Sequence, residues 1–349
     1  MRMRAVLQTT ITVMAGAAAF AAARRRAGRI DLHGRTALIT GGSRGLGLAI
    51  ARELGRLGAH VTLAARDAAE LEAAREDLES RGIGASVLVC DLSARGEGRR
   101  IVDQVIADRG RLDILVNNAG VIQIGPIEHM ETRDFEEAMD VHFWAPLQTM
   151  LSAMPAMRTQ GGGRIVNVSS IGGKIGVAHM VPYCASKFAL TGLSTALRGE
   201  LAKDNIVVTT VSPGLMRTGS PFNAWFKGRH REEFAWFTVA DSLPVVTVDA
   251  ARAAFQIVDA CRCGDAELVV SWPAKLAVIA NAVSPSVVAL GMRLTNALLP
   301  EPAGAEGDRA HSGWQSQSPW APSRLTRSTE RAAVENNQLS VVNGASAQP

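Results

Sequence analysis

The chain has 349 residues, of which 47% are hydrophobic and 20% charged, a balance that fits a packed globular protein and excludes a disordered one. Its net charge of +4 is small, and much of the local positive charge lies in residues 24–29, so we expect no nucleic-acid partner. The four cysteines form no Cys-x-x-Cys pair and no Cys/His pattern, which predicts no metal site and favours a reduced, cytoplasmic setting.

Residues 1–28 contain an uncharged, alanine-rich stretch, residues 5–23, that is followed by four arginines. At a rise of about 1.5 Å per residue it nearly spans a bilayer core, so membrane association is one interpretation. The excess of arginine after it would then leave the main domain in the cytoplasm, anchored at the inner face of the membrane. A cleaved export signal, with small residues near its end, and an additional helix outside the membrane are the alternatives.

From residue 29 to residue 272 short apolar runs alternate with helical patterns. Seven runs are apolar throughout and rich in β-branched residues, as parallel strands covered on both faces must be. They are residues 36–40, 60–65, 86–90, 112–117, 164–169, 206–211 and 267–271. With helical crossovers between most of them, they predict a single α/β domain built on a Rossmann-like, doubly wound parallel sheet of about seven strands.

Two further segments follow this domain. Residues 273–300 are apolar and interrupted by Pro285, and we interpret them as a helical extension that packs on the domain. A partner surface and a membrane contact are the alternatives. Residues 301–349 are rich in Ser, Pro, Gln and Gly with little periodicity, which predicts a mostly disordered tail, although Trp314 and Trp320 suggest that part of it docks.

A glycine-rich turn joins the first predicted strand to a helix. Gly41, Gly45 and Gly47 would allow the backbone to turn tightly and to approach a diphosphate, and the helix N-terminus offers free N–H groups and a positive dipole end. Because strand, glycines, helix and second strand occur in register, the segment predicts a dinucleotide site rather than an ordinary turn.

The end of the second strand indicates which dinucleotide binds. Arg66 stands there in place of a carboxylate, and Arg44 lies in the glycine turn. Two cations suit a 2′-phosphate, so NADP(H) is favoured over NAD(H), although Asp67 follows directly. Asp91 ends the third strand and is expected at the adenine end, with capping of the next helix as its alternative role.

These motifs, in this order, resemble the short-chain dehydrogenases/reductases of the branch with a TGxxxGxG turn, over about residues 31–271. The resemblance implies that residues 117–120, NNAG, line the adenine ribose and that residues 212–214, SPG, flank the nicotinamide, with Thr218 near its carboxamide. The cofactor-binding residues expected in this way are Gly41, Ser43, Arg44, Gly45, Leu46, Gly47, Arg66, Asp91, Leu92, Asn118, Ala119, Gly120, Tyr183, Lys187, Pro213, Gly214 and Thr218.

The same resemblance identifies a reaction centre around the single tyrosine of the chain. Tyr183 and Lys187 are similar to the family's Tyr-x-x-x-Lys signature, and their spacing places them on one helix face. Ser170, rather than Ser169, has the family's spacing to the tyrosine. Tyr183 would act as general acid or base and Ser170 would bind the same oxygen. We expect the Lys187 ammonium and an oxidised nicotinamide together to bring the tyrosine pKa from about 10 towards about 7 to 8.

His142 stands where the family usually has an asparagine, whose backbone carbonyl helps to hold a water linked to the lysine. The imidazole could join a proton relay, because it titrates near neutral pH. Packing between helix and sheet is the other interpretation. We include His142 among the candidate catalytic residues on this basis.

The substrate is expected under a lid, residues 215–243. Its aromatic residues favour an apolar or lipid-like ketone or secondary alcohol, whereas lid core or dimer surface is the alternative. They are Phe222, Trp225, Phe226, Phe234, Trp236 and Phe237. The sequence therefore predicts an oxidoreductase that transfers hydride between NADP(H) and a carbonyl or alcohol. The alternatives are a non-enzymatic NADP(H) sensor or scaffold at a membrane and an epimerase or dehydratase of the same fold. The resemblance also implies a homo-oligomer, unless the C-terminal extension blocks its interface.

Overall fold

The computed structural model describes residues 23, 25, 27–243, 247–323 and 326–338. Seven parallel strands form the central sheet in the order β11-β7-β6-β4-β1-β2-β3. These strands are β1 (Thr36–Thr40), β2 (His60–Ala65), β3 (Ala85–Val89), β4 (Ile114–Asn117), β6 (Gly163–Val168), β7 (Ile206–Pro213) and β11 (Glu267–Val270). Two small sheets flank it, β12-β9-β5 and β10-β8. Their strands are β5 (Gln123–Ile124), β8 (Met216–Arg217), β9 (Trp225–Phe226), β10 (Val248–Asp249) and β12 (His311–Ser312).

Helices cover both faces of the central sheet. The α-helices of the described residues are α1 (Gly45–Arg56), α2 (Ala68–Ser80), α3 (Glu97–Arg109), α4 (Thr132–Met139), α5 (Ala145–Thr159), α6 (Val181–Leu201), α7 (His230–Ser242), α8 (Ala250–Cys263), α9 (Trp272–Val283), α10 (Pro285–Asn296) and α11 (Arg327–Glu335). Helices α1, α2 and α8 bury their apolar sides in the core on one face, and α3, α5 and α6 do so on the other. The predicted doubly wound α/β fold is therefore confirmed.

The alternation of side chains along a strand explains why β1 is apolar at every central position. Ala37 and Ile39 belong to the core under α1, whereas Leu38 belongs to the core on the opposite face. A parallel strand in the middle of such a sheet has no face that meets water, so both sets of side chains must be apolar.

The chain reverses its direction of winding between β1 and β4, which are neighbours in the centre of the sheet. In a doubly wound sheet the loops after two such strands leave in opposite directions and a crevice opens between them. The predicted glycine turn follows β1 and the NNAG segment extends from the end of β4, so the topology brings both to this crevice.

The apolar extension behaves differently from our expectation. Helices α9 and α10 form a hairpin, and the buried side chain in the pair is Ala274. Large apolar side chains are more than half exposed at eight positions between residues 272 and 298: Trp272, Leu276, Ile279, Val283, Val287, Leu290, Leu294 and Leu298. The prediction that residues 273–300 pack on the domain is wrong for most of the segment, because these side chains stay exposed. The hairpin contacts the domain through β11 and through a hydrogen bond from Asn281 to the carbonyl oxygen of Lys174.

The prediction of a mostly disordered tail is wrong for residues 301–323 and 326–338. Strand β12 pairs with β9, and α11 lies against α7. The reason is a separate apolar core, in which Ala321, Ala333 and Trp314 of the tail pack with aromatic residues of the lid. Trp314 docks as expected, whereas Trp320 is 71% exposed.

The N-terminal segment, residues 5–23, lies outside the described residues except for Ala23. Its interpretation as an anchor, a signal or a further helix stays a prediction. Among the helices that the structure describes, none combines the length and the apolar character needed to cross a bilayer.

Candidate active site

A cleft of about 650 Å³ lies along the carboxyl ends of the central strands. Its walls come from the segments that directly follow β1, β2, β3, β4, β6 and β7, so side chains distant in sequence meet there. Every residue predicted to bind the cofactor lines this one cleft except Gly47. The candidate catalytic residues Ser170, Tyr183, Lys187 and His142 line it as well.

The glycine turn is shaped by contacts that leave no room for side chains. Gly41 and Gly45 have φ angles of 62° and 58°, in the left-handed region that favours glycine. A Cβ on Gly41 would lie 2.8 Å from the Cα of Ala119. Gly47 serves the site indirectly, because its missing side chain lets α1 approach the carbonyl oxygen of Gly41. The turn therefore presents bare backbone to the cleft at the N-terminus of α1.

Asn118 connects this turn to the end of β4. Its side-chain Nδ2 donates to the carbonyl oxygens of Thr40 and Gly41, both at 3.0 Å. The backbone N–H groups of Asn118 and Ala119 donate to the Thr40 hydroxyl at 3.0 and 3.1 Å. These bonds fix the two sides of the crevice relative to each other, so the NNAG segment both supports the sheet and lines the cleft.

Two arginines line the far end of the cleft, as predicted. Arg44 pairs with Glu70, at 2.6 Å between Nη1 and Oε1, whereas Arg66 is exposed. Asp67 points to its own helix, where it accepts a hydrogen bond from the Glu70 amide. Glu70 is not among the site residues predicted from the sequence, although its place in the first turn of the helix after the second strand puts it within reach of this site.

Asp91 takes part in a local turn at the same end. Its Oδ1 accepts hydrogen bonds from the amide and the hydroxyl of Ser93, at 3.0 and 2.8 Å. Burial opposes ionisation, but these bonds and the positive charge of Arg66 hold the pKa of Asp91 below its usual value. Asp91 is thus an anion that faces Arg66, and the helix that follows is not capped by it.

At the other end of the cleft α6 presents Tyr183 and Lys187. The Lys187 Nζ donates to the carbonyl oxygen of Val168 at 2.9 Å and lies 5.7 Å from the centre of the tyrosine ring. Ser170 lines the same cleft, and its Oγ accepts a hydrogen bond from the Gly172 amide at 3.0 Å. Ser169 instead donates to the carbonyl oxygen of Lys187 at 3.0 Å and so has a structural contact. The structure therefore brings together the serine, tyrosine and lysine that the sequence singled out.

Lys187 alone does not lower the pKa of Tyr183 in this structure, and the expected contribution of an oxidised nicotinamide stays a prediction. Burial raises the pKa of Tyr183 to about 12, against which the hydrogen bond from Ser170 acts only in part. Burial also lowers the pKa of Lys187 to about 7. A lysine with a pKa of about 7 is only half protonated at pH 7, so its positive field on the phenol is reduced. In this structure Tyr183 is therefore a protonated phenol at neutral pH.

His142 is fully buried behind this pair, on the π-helical turn Asp140–Trp144. Its Nε2 accepts a hydrogen bond from the Val121 amide at 3.1 Å, so Nδ1 carries the proton and donates to Ser186 at 2.8 Å. The Ser186 hydroxyl in turn donates to the carbonyl oxygen of Tyr183 at 2.8 Å. Burial and the charge of Lys187 hold the pKa of His142 well below its usual value. The imidazole is thus neutral, with both nitrogens engaged.

The lid aromatics do not line the cleft. Phe222, Phe226, Phe234 and Phe237 are buried in the apolar core shared with the C-terminal tail. These aromatic residues therefore do not indicate an apolar substrate, and the alternative, lid core, describes the four phenylalanines. The apolar lining of the cleft near Tyr183 comes from other residues: Val121, Ile122, Val141 and Met216.

Gln338 also lines the cleft, although the sequence predicts that it lies in a mostly disordered tail. It lies against Gly45 and the lid. No local sequence signal marks such a contact, because it depends on how the tail packs.

The donor set fits a nicotinamide dinucleotide. The bare backbone at the start of α1 suits a diphosphate, the arginines suit a further phosphate, and the cleft continues from there to Tyr183. The cleft is also large enough for a bound ligand of cofactor size.

Comparisons with known proteins agree with this geometry. The family model of the short chain dehydrogenases matches residues 35–224. The 3-oxoacyl-[acyl-carrier-protein] reductase of Rickettsia bellii is 38% identical over 189 residues, 54% of this chain and 76% of that protein.

Two solved structures share the fold. L-sorbose reductase of Gluconobacter frateurii, complexed with NADPH and L-sorbose, has a TM-score of 0.63 at 26% identity and covers 69% of this chain and 97% of its own. A metagenomic short-chain oxidoreductase in complex with NADP has a TM-score of 0.57 at 32% identity and covers 69% and 98%. The chain therefore belongs to the short-chain dehydrogenase/reductase family and is an oxidoreductase that acts on carbonyl or alcohol groups with a nicotinamide cofactor.

Proposed function

We propose that this protein is an NADP(H)-dependent carbonyl reductase in which Tyr183 is the general acid. The observation that carries the proposal is the convergence of Ser170, Tyr183 and Lys187 at one end of a cleft that has Arg44 and Arg66 at the other. The expected donors to a dinucleotide and the expected proton donor thus share one cavity.

NADP(H) is proposed over NAD(H) because the residue that directly follows β2 is Arg66, which is exposed at the cleft. A carboxylate at this position would favour NAD(H) instead. Arg44 can add a second cation if a phosphate displaces Glu70. Asp91 and Leu92 would flank the adenine, Asn118 and Gly120 the ribose, and the segment from Pro213 to Thr218 the nicotinamide. When bound, the cofactor supplies or accepts the hydride.

The proton comes from the chain itself. With a pKa of about 12, Tyr183 keeps its proton at neutral pH and can donate it to a carbonyl oxygen that gains negative charge. Ser170 lines the same cleft as the phenol, and its hydroxyl can hydrogen-bond that oxygen. Lys187, whose pKa is about 7, can return a proton to the tyrosine and bind ribose hydroxyls. The carbonyl thus gains a hydride at carbon and a proton at oxygen, and leaves as an alcohol.

We propose a positioning role for His142. Its Nε2 lone pair is occupied by the Val121 amide, and its Nδ1 proton by Ser186, so the ring has no free site for a relayed proton. Through Ser186 it fixes the first turn of α6, on which Tyr183 lies. The imidazole therefore holds the tyrosine in place rather than carrying its proton.

We propose that the substrate is a ketone, or in reverse a secondary alcohol, with an apolar substituent. Support comes from the apolar side chains beside the reacting end of the cleft, Val121, Ile122, Val141 and Met216. A panel of ketones of increasing alkyl length, followed by NADPH absorbance, tests this. We expect kcat/KM to rise with chain length, and polar ketoses reduced faster than alkyl ketones would contradict the apolar assignment.

The cofactor preference has a direct test in Arg66→Ala. A hydrogen bond to a charged group contributes about 1.5–3 kcal/mol, so the Kd for NADPH should rise about tenfold or more, with little change for NADH. Fluorescence titration of both nucleotides measures this. Arg99→Ala removes an exposed arginine from α3, remote from the cleft, and is the matched control. Equal affinity of the unaltered protein for NADH and NADPH would contradict the preference.

A further inference from the structure

The C-terminal strap, which we define as α11 with residues 336–338, lies across the glycine turn. The carbonyl oxygen of Asn336 accepts a hydrogen bond from the Gly45 amide at 2.7 Å. The Asn337 side chain donates to the carbonyl oxygen of Ser43 at 2.9 Å, and Arg52 of α1 donates to the carbonyl oxygen of Glu335 at 3.0 Å. One side of the strap is thus bound to the segment that is proposed to hold the diphosphate.

The other side of the strap is bound to the lid. Asn223 donates to Oε1 of Gln338 at 2.5 Å, and Thr329 shares a 2.7 Å hydrogen bond with Ser242. Ala333 packs so closely on Gly219 that a Cβ on that glycine would overlap it. The strap therefore joins the glycine turn to the lid.

Gln338 turns its amide nitrogen towards the glycine turn. Because Oε1 is held by Asn223, the Nε2 group faces the other way, 2.5 Å from where a Cβ of Gly45 would stand. This amide nitrogen can donate two hydrogen bonds and cannot accept one, so its suitable partner is an oxygen atom, preferably an anionic one. The strap thus takes up one backbone donor of the turn, at Gly45, and places a side-chain donor beside it.

The strap forms a wall of the cleft and does not fill it. With the strap in place the cleft keeps a volume of about 650 Å³ and reaches without interruption from Arg66 to Tyr183. Gln338 is buried among its neighbours, at 8% exposure, yet lines this space. A segment that blocked the cofactor would instead have closed the cleft between these two ends.

We propose that Gln338 is a cofactor-binding residue, whose Nε2 donates a hydrogen bond to the diphosphate of bound NADP(H), and that the strap retains the cofactor. This rests on the proposed function, since it requires NADP(H) in the cleft. The strap must leave the glycine turn before the cofactor can be released, so its hydrogen bonds slow dissociation.

The test is Gln338→Glu, which preserves the size of the side chain and replaces the donor with an anion. We expect the Kd for NADPH to rise at least tenfold in a fluorescence titration, and the dissociation rate to rise in a stopped-flow displacement. Val334→Glu adds the same charge to the strap at a position that is 60% exposed, and it should leave both values unchanged. Gln338→Ala, which removes the donor without adding charge, covers the case in which the glutamate disturbs folding, and should weaken binding by a smaller factor.

Hydrogen exchange gives a second readout that needs no turnover. NADPH should slow the exchange of amides in α11 and residues 336–338 if the cofactor and the strap stabilise each other. Unchanged or tighter NADPH binding by both Gln338 variants would overturn the strap proposal alone, and tighter binding would identify the strap as an inhibitor. Failure of the unaltered protein to bind NADPH would overturn the proposed cofactor, and the strap proposal with it.

Discussion

A single methyl group on Gly47 tests whether the shape of the glycine turn makes the cofactor site. A Cβ there would lie 2.0 Å from the carbonyl oxygen of Gly41 and 2.6 Å from Nδ2 of Asn118. Gly41 cannot retreat, because its amide is hydrogen-bonded to Ala64 at 2.7 Å and its Cα faces the backbone of Ala119. The clash is therefore with backbone and cannot be relieved by rotating a side chain.

Forced overpacking of this kind costs about 1–3 kcal/mol, and occasionally more. At about 2–4 °C per kcal/mol for a large domain, Gly47→Ala should lower Tm by several degrees. The displaced turn would also lose its fit to a diphosphate, so we expect the Kd for NADPH to rise at least tenfold. Thermal melts and a fluorescence titration on the same preparations measure the two effects.

Gly192→Ala is the matched control. Gly192 lies within α6, and no atom stands within 4 Å of its Cβ position. Alanine is better than glycine in a helix by about 0.5–1 kcal/mol, so this variant should melt slightly higher and bind NADPH unchanged. If Gly47→Ala melted and bound like the unaltered protein, the close approach of α1 to Gly41 would not be what forms the site.

Three further predictions follow from buried groups. Asp241 is 2% exposed, and its burial raises its pKa to about 8. Above about pH 4 the unfolded chain loses this proton while the folded protein keeps it, so the free energy of unfolding falls between about pH 4 and pH 8. In urea melts the free energy of unfolding of the wild type should therefore fall by up to about 4 kcal/mol more than that of Asp241→Asn between pH 5 and pH 8. The same pH dependence of this free energy in both proteins would contradict the prediction. His142→Ala should lower kcat, because Tyr183 loses its support, while KM and the pH profile of the rate stay unchanged; a shifted profile would indicate that the imidazole carries a proton. Because Tyr183 has a pKa of about 12, the rate of ketone reduction should not fall between pH 6 and 9 through loss of the tyrosine proton, whereas the rate of alcohol oxidation should rise with pH. A bell-shaped pH profile of the reduction rate, centred near pH 7, would contradict the assignment.

Local patterns predicted the sheet and both ends of the cleft. The buried strands are apolar throughout, and the glycine turn and the residues after β4, β6 and β7 are adjacent to strand ends that the topology brings together. Such features depend on a few neighbouring residues and on the rules of parallel sheets, so the sequence shows them directly.

The features that were missed depend on distant packing. Asn337 contacts Ser43 across 294 positions of the chain, and nothing in a Ser- and Gln-rich tail indicates that partner. From the sequence alone, the lid aromatics fit a substrate pocket as well as a lid core. The structure shows that they pack with Trp314 and Ala333 of the tail, which the sequence does not indicate. The pKa of Lys187 likewise depends on its burial, which a Tyr-x-x-x-Lys spacing does not reveal.

The central claim, that Tyr183 gives the proton to the carbonyl oxygen, is tested most directly by Tyr183→Phe. The variant keeps the ring, which packs edge-on against His142 at 5.4 Å, and removes only the hydroxyl. We expect single-turnover reduction of a ketone by bound NADPH to slow at least about a hundredfold, with the NADPH Kd and the melting temperature close to those of the wild type. Reduction at the wild-type rate by this variant would contradict the account.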